Sequence, residues 1–325
     1  LRWYFQTTHH DIFDYDLSAP PTLIEVIRSG KKVPAVAQST KQGLLFLFDR
    51  VTGRPIYGVE ERPVPKSDQP GEESWPTQPF PLKPPPIARN HFSPAEVAKV
   101  TPEHQRFCEA LLRLDGGVRY SGPYTPYGTK FSLSFPGMFG GGNWGGAAFD
   151  RESGFLIVNT QDLGTIFKVA VKREGSESRV TRVSPAGEVG GLGGFGGFGG
   201  NIGVQFWNPE NLMPCQQPPW GHLVAVNVNT GEIAWNVPLG TFDELEAKGI
   251  RSTGAPNMGG PIVTAGGLVF IGATNDSRFR AFDSRTGKEL WATKIDSSAH
   301  RADDLSRQKW KTARCDYGNR RWHRR

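Results

Sequence analysis

"FLFDRVTGRPIY" (46–57) is the stretch whose reading decides the fold. Three further segments align with it without gaps: "AAFDRESGFLIV" (147–158), "VAVNVNTGEIAW" (224–235) and "RAFDSRTGKELW" (280–291). Each has an apolar third position (Phe48, Phe149, Val226, Phe282) followed by Asp or Asn (Asp49, Asp150, Asn227, Asp283). Ser or Thr then precedes an aligned glycine (Gly53, Gly154, Gly231, Gly287). This is the chemistry of a β-hairpin: alternating apolar residues make a strand, Asp or Asn caps the turn with its side chain, and Gly supplies the positive φ. Trp235 and Trp291 close the second strand of their copies. A hairpin cannot bury both faces alone, so copies must stack, and a radial array of four-stranded blades is the common solution. "LRWYFQ" (1–6) reads as the closing strand of a further copy, so the chain is expected to begin inside a blade.

Successive aligned glycines lie 101, 77 and 56 residues apart, against roughly 40–50 for a bare blade. Insertions therefore decorate the array. One of them, 93–114, carries a Ser93/Glu96 capping box and then Pro102 at a helix start. Another, "GGLGGFGGFGGNIG" (190–203), contains GxGxxG without a βαβ context and reads as a surface loop. The Pro-rich stretch 62–87 reads as a connecting arm. With 40 Gly and 26 Pro in 325 residues, the composition favours a turn-rich all-β protein.

The net charge of +6 would suggest a polyanion partner were it spread over the surface. It is not: residues 301–325 hold nine basic and three acidic residues, leaving 29 of each in the remainder. No nucleic-acid partner is expected. Cys108, Cys215 and Cys315 have neither CxxC nor zinc spacing, and a Cys108–Cys215 bridge stays open. No apolar run reaches membrane-spanning length, and no signal peptide opens the chain at Leu1. An upstream part is expected to be missing.

"HHDIFDYD" (9–16) crowds ionisable groups into one place. Adjacent His9 and His10 point opposite ways on a strand and cannot share an ion there, whereas Asp14 and Asp16 project to one face if the segment is extended. Two such carboxylates can bind a hard cation, or one can bind while the other acts as base; a hydrated loop is the alternative.

Phe13-Asp14-Tyr15-Asp16, Lys41 placed 27 residues after Asp14, "NWGG" (143–146), "PCQQPPWG" (214–221) and the repeated turns together resemble the pyrroloquinoline-quinone-dependent dehydrogenases. The membrane-bound glucose dehydrogenase branch shares the "TTHHD" (7–11) lead-in, and the resemblance runs from residue 1 to about 300. It implies an eight-bladed β-propeller of the quinoprotein alcohol dehydrogenase type, here incomplete, with its N-terminal blades missing. It further implies pyrroloquinoline quinone and a cation, calcium with magnesium or a lanthanide as alternatives, near the axis. Asp14 is then the base that takes the substrate's hydroxyl proton, and Asp14 and Asp16 are metal ligands. Lys41 binds the quinone oxygens, Asn159 contacts the cofactor, and Asn143, Trp144 and Met258 approach it. His9 and His10 are left to polar packing or to substrate-side hydrogen bonds.

The activity so implied is oxidation of an alcohol or sugar, with ubiquinone or cytochrome c accepting electrons. The place is the periplasm, with an inner-membrane anchor in a missing N-terminal segment. The rival reading is a non-catalytic propeller used for protein binding or outer-membrane assembly. Residues 1–300 are expected to form the partial propeller, poorly soluble or inactive by itself. The similarity ends after "KIDSSAH" (294–300), so the basic tail 301–325 is expected to follow a shift of coding frame near His300.

Overall fold

A computed structural model describes residues 1–120, 122–174, 177–185, 187–189 and 204–298, without the side chains of 171–180 and 187–189. The glycine-rich stretch 190–203 and the tail lie outside the described residues. Three meanders stack face to face. The first is β1 (Thr22–Arg28), β2 (Lys31–Ser39) and β3 (Leu45–Asp49). Its fourth position is taken by 54–57, where Asp49 N donates to Arg54 O and Ile56 N to Leu47 O, both at 2.8 Å. The second runs β7 (Ala147–Asp150), β8 (Phe155–Gln161), β14 (Gly221–Asn227), β15 (Glu232–Pro238), and the third β16 (Ile262–Val263), β17 (Leu268–Ile271), β18 (Arg278–Asp283), β19 (Glu289–Lys294).

Period-two alternation divides the middle meander between its neighbours. Leu156, Val158, Val224 and Val226 pack with Ile24, Val26, Leu45 and Leu47 of the first sheet. Ile157, Leu223 and Ala225 pack with Val269, Ile271 and Phe282 of the third. The innermost strands β1, β7 and β16 stand side by side, so the sheets are arranged as propeller blades. The outer face of the first blade, Phe46 and Phe48, is covered by Phe5 and Trp3 of the N-terminal segment.

The four aligned turns form as their chemistry requires. In each, the glycine N–H donates to the Asp or Asn carbonyl four residues back at 2.8–2.9 Å, with φ between +69° and +75°. The Asp or Asn side chain accepts from the backbone N–H two residues on at 2.8–3.0 Å. At three of the turns the glycine also receives an aromatic ring. A Cβ on Gly53 would stand 2.6 Å from the Trp3 ring, on Gly231 2.9 Å from Tyr57, and on Gly287 2.6 Å from Trp235. Each ring donates to the carbonyl three residues before its glycine: Trp3 Nε1 to Arg50 O at 3.0 Å, Tyr57 OH to Val228 O at 2.6 Å, Trp235 Nε1 to Ser284 O at 3.1 Å. A missing Cβ thus lets Tyr57 and Trp235, which close their sheets, lock onto the next sheet's turn, and Trp3 of the N-terminal segment lock onto the first.

Three expectations need correction. The copies at 147–158 and 224–235 are the two hairpins of one blade, because an excursion of about sixty residues leaves between β8 and β14. Residues 1–6 form no strand; only Trp3 performs the docking part of a closing strand. The stretch 62–87 is more than an arm, since its β5 (Thr77–Pro81) pairs with β4 (Val59–Pro63), which runs into it. The excursions supply β6 (Ser132–Ser134), β9 (Thr165–Glu174), β10 (Glu177–Ser184) and β11 (Gly187–Val189), which form a further sheet, and the short pair β12 (Trp207–Asn208) and β13 (Met213–Pro214). They also supply α1 (Pro102–Leu112), capped by Thr101 Oγ1 accepting from His104 N at 3.2 Å, and α2 (Asp243–Ala247). Cys108 on α1 and Cys215 are joined in a disulfide, closing the alternative the sequence left open.

Candidate active site

The residues singled out in the sequence gather at one end of the blades, where β2 and β8 finish and β1, β7 and β16 begin. Phe13 and Tyr15 are buried, and Asp14 and Asp16 between and after them are exposed. The segment is not an extended strand. Asp11 accepts from Phe13 N at 2.9 Å and Tyr15 N at 2.8 Å, curling the chain, and Asp14 sits at φ +66°. The two carboxylates converge all the same, because both reach Lys41. Its buried ammonium lies 3.4 Å from Asp14 Oδ2, donates to Asp14 O at 2.9 Å and bonds Asp16 Oδ1. Burial against this turn pushes the Asp14 carboxyl above its ordinary value of 3.8, and the Lys41 charge opposes the rise. Since its side chain is 52% exposed, solvent keeps that rise modest.

Lys41 is fixed from the other side by the loop that opens β7. A Cβ on Gly140 would come within 2.5 Å of Lys41 Cα, and Gly141 N donates to Lys41 O at 2.8 Å. Gly141 O in turn accepts from Gln161 N at 2.9 Å, tying Lys41 to the end of β8. Asn143 spends its side chain inside this loop, donating to Phe139 O at 2.6 Å and accepting from Trp144 N at 2.7 Å. Trp144 is 63% exposed at the mouth, so it does not pack between blades. Gly145 and Gly260 touch backbone to backbone, joining the lead-ins of β7 and β16.

Asn159 is buried on β8 and donates to Asn257 Oδ1 and Gly259 O, both at 2.6 Å, while its own Oδ1 is buried without a partner among the described residues. Gln161 reaches the sulfur of buried Met258 at 3.9 Å. His9 is structural: its backbone N donates to Gln78 Oε1 at 2.8 Å and its ring meets Glu61 at 2.9 Å. His10 lines a cavity with the 69–73 loop.

Sequence reasoning missed the ionic support below this floor. Asp162, one residue beyond Gln161, is buried and accepts from Arg89 N at 2.9 Å and Arg89 Nε at 3.1 Å. Arg89 also holds Glu96 at 2.6 Å, and His222 Nε2 stands 3.4 Å from Asp162 Oδ2 as an ion pair. The signal was the acid in "NTQD" (159–162) directly after a candidate contact; its partners are 73 and 60 residues away and left none. Among the described residues, His104, Cys108 and Cys215 also lie close enough to share an ion, but the disulfide takes up both sulfurs.

Residues 1–303 match the family described as glucose/ethanol/alcohol dehydrogenase, β-propeller domain, with pyrroloquinoline quinone as its label. The chain is 36% identical to the quinate/shikimate dehydrogenase (quinone) of Acinetobacter baylyi over 305 residues, 90% of this chain and 37% of that protein. It is 32% identical to the quinoprotein glucose dehydrogenase of Escherichia coli over 309 residues, 91% of this chain and 37% of that one. The chain thus spans little more than a third of these relatives. The quinohemoprotein alcohol dehydrogenase of Comamonas testosteroni shares its fold, with a TM-score of 0.51 at 21% identity over 92% of this chain and 34% of that structure.

Proposed function

The chain belongs to the pyrroloquinoline-quinone-dependent glucose/ethanol/alcohol dehydrogenase β-propeller family, and on that premise we propose that it is the site-bearing part of an enzyme oxidising a CH–OH group of an alcohol, polyol or sugar. The observation that carries this reading is the convergence of Asp14 and Asp16 on the buried Lys41 ammonium. A propeller that only docks proteins has no use for an acid pair held on a buried base.

Two features fit the quinone: the Lys41 ammonium, and the Asn159 Oδ1 buried without a partner beside Asn257 and Met258. When bound, the quinone supplies the hydride acceptor. Lys41 would hold its oxygens and oppose the negative charge that builds there, and Asn159 would fix its orientation. Gly140 leaves no side chain over Lys41. Asp14 and Asp16 would contribute two of the oxygens that a hard cation needs, calcium, magnesium or a lanthanide. The Asp14 carboxylate takes the substrate's hydroxyl proton, a role helped by burial raising the carboxyl above its ordinary value and so making it a stronger base. Ubiquinone or a cytochrome c in the periplasm is the proposed acceptor, and blades beyond this chain would complete an eight-bladed ring.

Titration of the chain with pyrroloquinoline quinone and calcium, read by absorbance, tests the assignment, with alcohol-dependent dye reduction as the second readout. Lys41→Ala is expected to lose quinone binding. Asp14→Asn is expected to keep it and to lose dye reduction. Quinone affinity equal in the parent and Lys41→Ala would overturn the reading.

A further inference from the structure

An Asn side chain has nearly the same shape at both ends of its amide, so its partners alone decide which end faces a ligand. At Asn159 they decide it through a second amide, that of Asn257 in the lead-in to β16. Asn257 is 3% exposed, and its Nδ2 donates to Thr160 O at 2.9 Å and to Ala255 O at 3.2 Å. Both acceptors are backbone carbonyls, which cannot turn into donors. Its Oδ1 therefore faces Asn159, whose Nδ2 donates to it and to Gly259 O, both at 2.6 Å. A reversed Asn257 would set oxygen against Thr160 O and Ala255 O, and a reversed Asn159 would set oxygen against Asn257 Oδ1 and Gly259 O.

Asn257 is held in place as well as in direction. Its N donates to Gln161 Oε1 at 3.3 Å, it bridges Thr274, and a Cβ on Gly221 would stand 2.9 Å from its Nδ2. Strand β14 thus begins with the residue that leaves this amide room. The carbonyls of Thr160, Ala255 and Gly259 together fix the direction of both side chains. Both Asn159 amide hydrogens are spent, so the end it keeps is its carbonyl, an acceptor and not a donor.

An acceptor distinguishes the two states of a quinone. The oxygens of the oxidised ring carry no hydrogen and repel it, whereas those of the quinol each bring one. The Lys41 ammonium, a donor, serves either state. We propose that Asn257 is a positioning residue that holds Asn159 as a hydrogen-bond acceptor, so that the site favours the quinol over the oxidised quinone. The inference rests on the assignment of Asn159 to the quinone, and its test needs no turnover.

Absorbance titration of the chain, with calcium and without oxygen, compares pyrroloquinoline quinone with its chemically reduced quinol. The parent is expected to bind the quinol more tightly. Asn257→Leu frees the Asn159 amide to turn and is expected to lower the quinol-to-quinone affinity ratio about five-fold, the worth of one ordinary hydrogen bond. Asn257→Asp, whose carboxyl burial keeps protonated, still donates to Thr160 O and accepts from Asn159, and is expected to keep the ratio. A merely structural role would weaken both forms alike. In the cofactor-free chain, the Asn159 side-chain amide should exchange its hydrogens slowly in the parent and in Asn257→Asp, and faster in Asn257→Leu. A parent that prefers the oxidised quinone, or a ratio unchanged in Asn257→Leu, would overturn the inference and leave the dehydrogenase reading standing. Binding of neither form by the parent would overturn both.

Discussion

Replacing Asp162 by Asn removes the anion under the site floor while nearly preserving its shape. In the parent, burial alone would raise the Asp162 carboxyl, but His222 and Arg89 outweigh it and hold the group below its ordinary 3.8. Burial likewise would lower His222, yet Asp162 lifts it above its ordinary 6.5. The signs then follow. The depressed carboxyl stabilises the fold above about pH 4 and loses that contribution as pH falls through its folded value. The raised imidazole contributes fully below about pH 6.5 and loses its share as pH rises through its own folded value. The pair is strongest between those limits. Removing one member of a buried pair costs about 3–5 kcal/mol. Arg89 keeps Glu96 at 2.6 Å, so the lower end, ~3 kcal/mol, is expected. For a chain of 325 residues the unfolding entropy near Tm is about 0.7 kcal/mol/K, which converts the loss to a Tm drop of about 4 °C. Scanning calorimetry from pH 4 to 8, with His222 followed by proton NMR, reads both effects. In Asp162→Asn the imidazole should titrate lower than in the parent, since burial is then opposed only by Asn236 and the Pro219 carbonyl. A His222 titration unchanged from the parent, or a Tm drop that does not shrink above pH 7, would refute the coupling.

Three other outcomes are expected. Lys41→Met should raise the Asp14 carboxyl further, because the charge that opposes its rise is gone; carboxyl-carbon NMR titration of the quinone-free chain checks it. Gly287→Ala should cost at least about 1–2 kcal/mol for a side chain at positive φ, with a further penalty for the contact 2.6 Å from the Trp235 ring; a lower Tm and altered tryptophan fluorescence would register both. Cys108→Ser should lose roughly 4–5 kcal/mol, the chain entropy of a loop closed across 107 residues, and reduction of the parent should reproduce that loss in the melt.

The repeated Asp/Asn-x-x-Ser/Thr-Gly turns were legible because a hairpin is written locally: its cap, its positive-φ glycine and its alternating strand lie within twelve residues. Asp14 and Lys41 were legible as a spaced pair, and the structure brings them together with Asp16. What the sequence did not carry was assignment between elements. Two aligned copies, 147–158 and 224–235, share a sheet because an excursion interrupts it, and a repeat shows only that hairpins exist. Asn143, chosen for its place in a motif, turned out to use its amide within its own loop, whereas the orphan acceptor of Asn159 appears only once Asn257 and Gly259 have claimed its nitrogen. The same holds for Asp162, Arg89 and His222. Local backbone preferences are set by neighbours in the chain, and these the sequence determines alone. The partner of a buried charge is set by which strands end at the same rim, and only tertiary packing decides that.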